Sequence, residues 1–139
     1  DWSPDGQWIA FNAHWDSNHE IYLIPATGGN AIRLTRAARD DSAPAWSPDG
    51  TRIAFDSERN GQYDIWVMNA DGSRQTCLTF HSADDGFPAW SPDGQWLAFD
   101  VTPDGSGDNW ELYIMRADGS DLQRVTHTKG ESWYPDWGQ

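Results

Sequence analysis

The chain has 139 residues, with 9 Lys and Arg against 22 Asp and Glu, a formal net charge of −13. That balance excludes a nucleic-acid binder, because phosphate recognition rests on a basic surface, and apolar runs as short as Ile53-Ala54-Phe55 exclude insertion into a membrane as a helix. Cys77 is the only cysteine, which excludes an internal disulfide framework and a Cys-based zinc cluster, while 10 Trp, 4 Tyr and 5 Phe supply a core of flat rings.

The chain opens on Asp1-Trp2 and runs directly into Ser3-Pro4-Asp5-Gly6. The same Trp-Ser-Pro-Asp-Gly returns at 46–50 and 90–94, a period of 44 residues, and a truncated echo follows at Pro135-Asp136-Trp137-Gly138. The last interval is 47 residues because an insertion separates Phe99 from Tyr113; from Val125 to Trp137 the phase is restored. The chain therefore divides into units at about 1–42, 43–86 and 87–133, with a closing strand over 133–138.

The middle unit displays the elements in order. Ala43-Pro44-Ala45-Trp46-Ser47 reads as a first strand, its Pro placed where no ladder donor is needed. Ser47-Pro48-Asp49-Gly50 is a turn: Pro presets φ, Asp bonds its own backbone and Gly takes positive φ. Thr51–Ser57 is the second strand and Asp64–Asn69 the third, followed by the turn Asn69-Ala70-Asp71-Gly72 and a fourth strand over Arg74–Thr79. Ile65-Trp66-Val67-Met68 is apolar without alternation, which implies a strand covered on both faces. No segment carries a helical period over ten residues. Four-stranded units with such a strand are the blades of an all-β propeller, where neighbouring blades cover each sheet.

The succession Trp-Ser-Pro-Asp-Gly, Ile53-Ala54-Phe55, Ile65-Trp66-Val67-Met68-Asn69-Ala70-Asp71-Gly72 and Leu78-Thr79 resembles the repeat of the TolB-type propellers, also called WD-like or PD repeats. The resemblance covers the whole chain and implies a fold more than a function. It implies six blades per ring and a periplasmic or exported setting. Three blades leave apolar flanks open, so two chains are expected to close one six-bladed ring by two-fold symmetry, the closing strand completing the partner's first blade, the alternative being that this sequence is half of a longer chain. Trp2 and Trp137 then occupy the same repeat position, and one must move aside.

Asp40, Asp84 and Glu131 lie six residues before their Trp, in loops entering the first strands. Such a rim of carboxylates is a candidate calcium site, set against a simpler role in capping turns and solvating the rim. No other cofactor is expected. Glu20, Asp64 and Glu111 recur just before the third strand, where a structural hydrogen bond to a loop amide is expected. Trp15, Trp110 and Trp133 fall outside the repeat and, with Asp41 and Asp85, form a candidate binding face for a basic or aromatic partner protein. His14, His19, His81 and His127 are scattered, Cys77 reads as passive, and Gly105-Ser106-Gly107 lacks the strained turn of a hydrolase nucleophile. The functional expectation is a non-enzymatic binding module acting through loops and channel mouth, with neither nucleic acid nor membrane as partner. Its rivals are a metal-dependent lyase, a peptidase-gating propeller and a pure self-assembly unit.

Overall fold

The computed structural model describes residues 1–102, 109–127, 132 and 134–137. The described residues form strands, turns and loops, with no helix. Blade 1 contains β1 (Trp8–Ala13), β2 (Glu20–Pro25) and β3 (Ile32–Arg33). Blade 2 contains β4 (Asp41–Trp46), β5 (Arg52–Ser57), β6 (Asp64–Asn69) and β7 (Thr76–Cys77), and blade 3 contains β8 (Asp85–Trp90), β9 (Trp96–Val101), β10 (Glu111–Arg116) and β11 (Gln123–Arg124). Each is an antiparallel meander in chain order. In blade 1 the inner position is held by Asp1–Ser3, through a Trp2–Ile9 bridge and the Ala10 N–H donating to the Asp1 carbonyl at 2.8 Å. Blade 1 touches blade 2 and blade 2 touches blade 3, while no described strand of blade 1 contacts one of blade 3. The arc is open.

The expected turns form for the expected reasons. Asp49 accepts the Ser47 hydroxyl at 2.6 Å and the Thr51 N–H at 3.0 Å, and Gly50 has φ 70°. Asp5 and Asp93 repeat the arrangement with Ser3 and Ser91. The outer strands are shorter than the sequence suggests, because Arg74 takes φ 54° and the backbone joins the ladder only at Thr76.

The core is the pair of seams between blades. Ala10, Ile21, Leu23 and Leu34 on the back of blade 1 meet Trp46, Ile53, Phe55 and Met68 on the front of blade 2. Ala54, Ile65 and Val67, with Leu78 beside them, meet Trp90, Leu97, Phe99 and Met115 in the same way. β6 thus sends Ile65 and Val67 to one seam and Met68, with Trp66 beside it, to the other, which is why its sequence does not alternate. Burying a side chain such as Phe55 or Phe99, both 0% exposed, contributes about 1.5–3 kcal/mol.

Each inner strand carries a bulge at its Pro. The register of β4 shifts between Ser42 and Ala45 and that of β8 between Gly86 and Ala89. Ala43, Phe87 and Tyr134, each directly before a Pro, have φ of 46°, 53° and 54°. A left-handed non-glycine residue costs about 1–2 kcal/mol, so the conformation needs support. Asp56 of blade 2 accepts the Phe87 N–H at 3.1 Å, and Asp100 of blade 3 accepts the Tyr134 N–H at 2.9 Å. The carboxylate of one blade therefore fixes the bulge of the next inner strand.

This clamp is testable. Asp56→Ala strips the Phe87 amide and the Ser42 hydroxyl (2.7 Å from Asp56) of their shared acceptor. A cost of about 2–3 kcal/mol is expected in urea melts, with Asp56→Asn losing less than half as much because its carbonyl still accepts the amide. Equal, small losses in both variants would refute the clamp.

Candidate functional site

The candidate residues gather at the end of the arc where the inner strands begin. Asp40 accepts the backbone N–H of His19 at 2.8 Å and lies 3.2 Å from the His19 ring nitrogen Nδ1. Asp84 accepts the Tyr63 N–H at 3.0 Å. Both acids therefore cap a loop of the preceding blade. Beside them the Asp41 N–H donates to the His19 carbonyl, the Asp85 N–H to the Tyr63 carbonyl and the Ser132 N–H to the Trp110 carbonyl. The same latch thus repeats three times, the last tying the tail to blade 3. Glu131, the third acid of the proposed rim, lies outside the described residues, as do Trp133 and the Gly105-Ser106-Gly107 loop.

Asp41 and Asp85 sit one residue further in and are fully buried, so neither reaches a partner across the surface as the sequence suggests. Asp41 receives Arg59 on both oxygens, at 3.2 and 2.6 Å. Burial nevertheless pushes its pKa up, against the pull of Arg59. Asp85 has no such arginine, because the repeat position of Arg59 falls on Pro103. Among the described residues neither of its oxygens has a partner of good hydrogen-bond geometry, and His81 Nε2 stands 3.4 Å away. Burial, reinforced by the charges of Asp64 and Asp84 and partly offset by the Thr79 hydroxyl, pushes its pKa to about 8. Asp100 is pushed to about 6, again by burial. Gly86 stands where Ser42 supplies Asp56 with a hydroxyl, which leaves Asp100 Oδ1 without a partner among the described residues.

Glu20, Asp64 and Glu111 are fully buried. Glu20 and Glu111 pair with Arg33 and Arg124 on the outer strands, at 2.7 and 2.6 Å, and Glu20 also accepts the loop amide of Asn18 at 3.3 Å. In blade 2 the arginine position is Cys77, and Asp64 instead accepts Asn60 Nδ2 at 2.8 Å. Burial first, then the Asp64 charge, raises the Cys77 thiol to about 11, so it stays protonated and unreactive.

Trp15 is 60% exposed and lies over Phe11 and Tyr22, its ring centroid 4.4 Å from that of Tyr22. It covers the free front of blade 1. Trp110 is half-buried beside the inner-strand latch of the tail. His14 and His19 meet edge to face at 5.1 Å. Phe80, which the sequence reading passed over, is 80% exposed at the same end. The signal was available: it follows Leu78-Thr79 at a position that is Arg36 in unit 1 and His127 in unit 3. Among the described residues no group of three His, Cys, Asp or Glu is placed to hold a metal ion. A groove of about 780 Å³ opens at the opposite end between blades 1 and 2, walled by Trp8, Leu23, Leu34 and Trp46. Between blades 2 and 3 the matching space is crossed by Arg52, stacked 4.5 Å from the Trp90 ring.

The family model of the TolB beta propeller domain matches residues 1–86. A putative TolB from Agrobacterium tumefaciens is 31% identical and superposes with a TM-score of 0.88 over 96% of this chain and 47% of its own. TolB from Acinetobacter baumannii is 27% identical, with a TM-score of 0.76 over 91% of this chain and 31% of its own. An oligogalacturonate lyase from Vibrio parahaemolyticus, 14% identical, shares the fold with a TM-score of 0.64 over 88% of this chain and 37% of its own. No curated protein matches the sequence. The chain thus spans about half the length of the Agrobacterium protein.

Two measurements follow from the acids. Asp85 ionises near 3.8 unfolded and about 8 folded, so its neutral form stabilises the fold and the benefit is lost as pH rises through that window. Asp85→Asn should gain stability over the parent steadily from pH 4 to pH 8 and level off above, by roughly 1–3 kcal/mol. A constant difference across that range would contradict the burial argument. For Asp84→Ala, loss of the cap on Tyr63 should cost about 1–2 kcal/mol independently of calcium. A calcium-dependent melting temperature in the parent that vanishes in this variant would instead make the rim an ion site.

Proposed function

The chain belongs to the TolB β-propeller family, and on that footing we propose that it is a non-enzymatic binding module that engages a partner protein through the loops where its inner strands begin. The observation that carries this reading is the contrast between the two ends of the arc. At one end the turns are close to copies of one another, closed on themselves by Ser–Asp pairs such as Ser47–Asp49, Ser73–Asp71 and Ser120–Asp118, save the turn after β2, which the Gly28 N–H closes on the Pro25 carbonyl. Those turns offer a ligand few unmet groups. At the other end the loops differ from blade to blade and hold His14, His19, His81 and His127, the exposed Trp15 and Phe80, and the exposed Arg36 and Arg39. Large exposed aromatics flanked by charge are the usual anchors of a protein interface.

The acids at this end act on the fold. Asp40 and Asp84 cap loops, Asp41 holds Arg59, and Glu20 and Glu111 hold arginines. Some propellers of this fold are enzymes, among them the oligogalacturonate lyase in complex with manganese and a prolyl endopeptidase, at 14% and 16% identity. A lyase or peptidase-gating role for this chain rests on that likeness of fold alone. With a net charge of −13, the favoured partner surface is basic, and its approach is accelerated at low salt.

Selection of displayed random peptides on the immobilised protein tests the reading. Basic, aromatic-containing peptides are expected, and Phe80→Ser should weaken their binding about tenfold or more without changing the melting temperature. Peptides that bind Phe80→Ser and Trp15→Ser as well as the parent would overturn it.

A further inference from the structure

Two tryptophans of the repeat carry an arginine of the chain on their rings. Arg52 of blade 2 reaches across the seam to blade 3, its guanidinium 4.5 Å from the centroid of Trp90. Within blade 3, Arg116 lies 4.1 Å from the centroid of Trp96, its partner across the β9–β10 ladder. Trp46 and Trp8 hold the repeat positions of Trp90 and Trp96, but there the arginines are gone: the position of Arg52 is taken by Trp8 and that of Arg116 by Pro25. Among the described residues no arginine or lysine stands over either ring.

These two bare rings wall one cavity, the groove of about 780 Å³ between blades 1 and 2. Its sides are the back of blade 1 and the front of blade 2, two faces already packed on each other, so the groove owes nothing to what adjoins the outer blades. Three carboxylates, Asp5, Asp49 and Asp71, also line it. Their Oδ1 atoms accept the hydroxyls of Ser3, Ser47 and Ser73, each at 2.6 Å. Those bonds, with the amides of the same turns, hold the three carboxyls below their ordinary range, so all are ionised near neutrality. At the next seam Ala117 and Asp118, the counterparts of Ala70 and Asp71 in the groove, share their space with Arg52. The molecule thus shows, one blade along, which group such a place accepts.

We propose that this groove binds an arginine side chain of a partner polypeptide, its guanidinium stacked on Trp46 in the place that Arg52 takes on Trp90. Ring faces and carboxylates together select the occupant. A guanidinium stacks on an aromatic ring and pairs with carboxylates at once, which the compact, strongly hydrated ammonium of lysine does less well. The net charge of −13 draws such a cation toward the chain. The volume is that of a site for a drug-sized ligand, enough for the arginine with a neighbouring apolar residue. Leu23 and Ile32, the latter 51% exposed, offer that neighbour a wall. The groove lies at the end of the arc away from Phe80 and Trp15, so this site stands or falls separately from the loop reading.

Titration of the isotope-labelled protein with the peptide acetyl-Leu-Arg-Leu-amide, followed at the indole N–H resonances, tests it. The signals of Trp8 and Trp46 should move saturably at millimolar peptide. The same peptide with citrulline, which keeps the shape of arginine without its charge, should bind at least about fivefold more weakly. Trp8→Arg installs the residue that unit 2 uses, so the variant should keep the circular dichroism and cooperative melting of the parent while losing about tenfold or more in affinity. Asp71→Asn, whose side-chain carbonyl still accepts the Ser73 hydroxyl, should lose about threefold. Signals that move at Trp15 alone would overturn the proposal and leave the loop reading standing. No saturable shift, equal binding of the citrulline peptide, or a Trp8→Arg variant that binds as the parent does would each overturn it as well.

Discussion

The structure depends on one constraint: a thin sheet of this sequence cannot bury its apolar rows by itself, so each blade is stable only against another. Ile53, Phe55 and Met68 are inaccessible because Ala10, Ile21 and Leu23 of the preceding blade lie on them. The next seam repeats the match with partly different residues, Val67 for Leu23 and Leu97 for Ile53. Close-packed interiors tolerate such exchanges when volume is kept. The polar features are consequences of this stacking. Loops of one blade must be tied to the inner strand of the next, and carboxylates make the ties because they accept amide hydrogens strongly.

The acids show how one repeat position changes its chemistry with its neighbours. Asp41 is buried and matched by Arg59, whereas Asp85, equally buried, has lost that arginine to the insertion in the third unit. A buried carboxylate without a counter-charge is held neutral. Glu20, Asp64 and Glu111 vary in the same manner, with arginine as partner in two blades and the Asn60 amide in the other. These positions set stability and its pH dependence. The loops beyond them, with Phe80 and Trp15, are free of that duty.

The blades were legible because their signals are local and repeated: the Trp-Ser-Pro-Asp-Gly turn, the apolar run of β6 and the constant distance from Leu78 to Trp90 and from Val125 to Trp137. The fate of each acid was less so, since it depends on a group in another loop or blade. Asp40 finds its amide 21 residues back, and Asp41 finds Arg59 18 residues ahead. The clamp by Asp56 escaped notice because its partner is a backbone N–H 31 residues away, and side-chain identity says nothing of it. The left-handed residues before Pro44, Pro88 and Pro135 are Ala, Phe and Tyr, none of which announces positive φ. A hint did exist, as Asp56 and Asp100 each follow the Phe of the second strand.

The central claim is that blade stability comes from two covered faces, and native-state hydrogen exchange tests it directly. At low protein concentration the amides of β5 and β6, covered on both sides, should be protected nearest to the global limit, with those of β1, β2 and β10 opening more readily. Equal protection in all three blades would contradict the account.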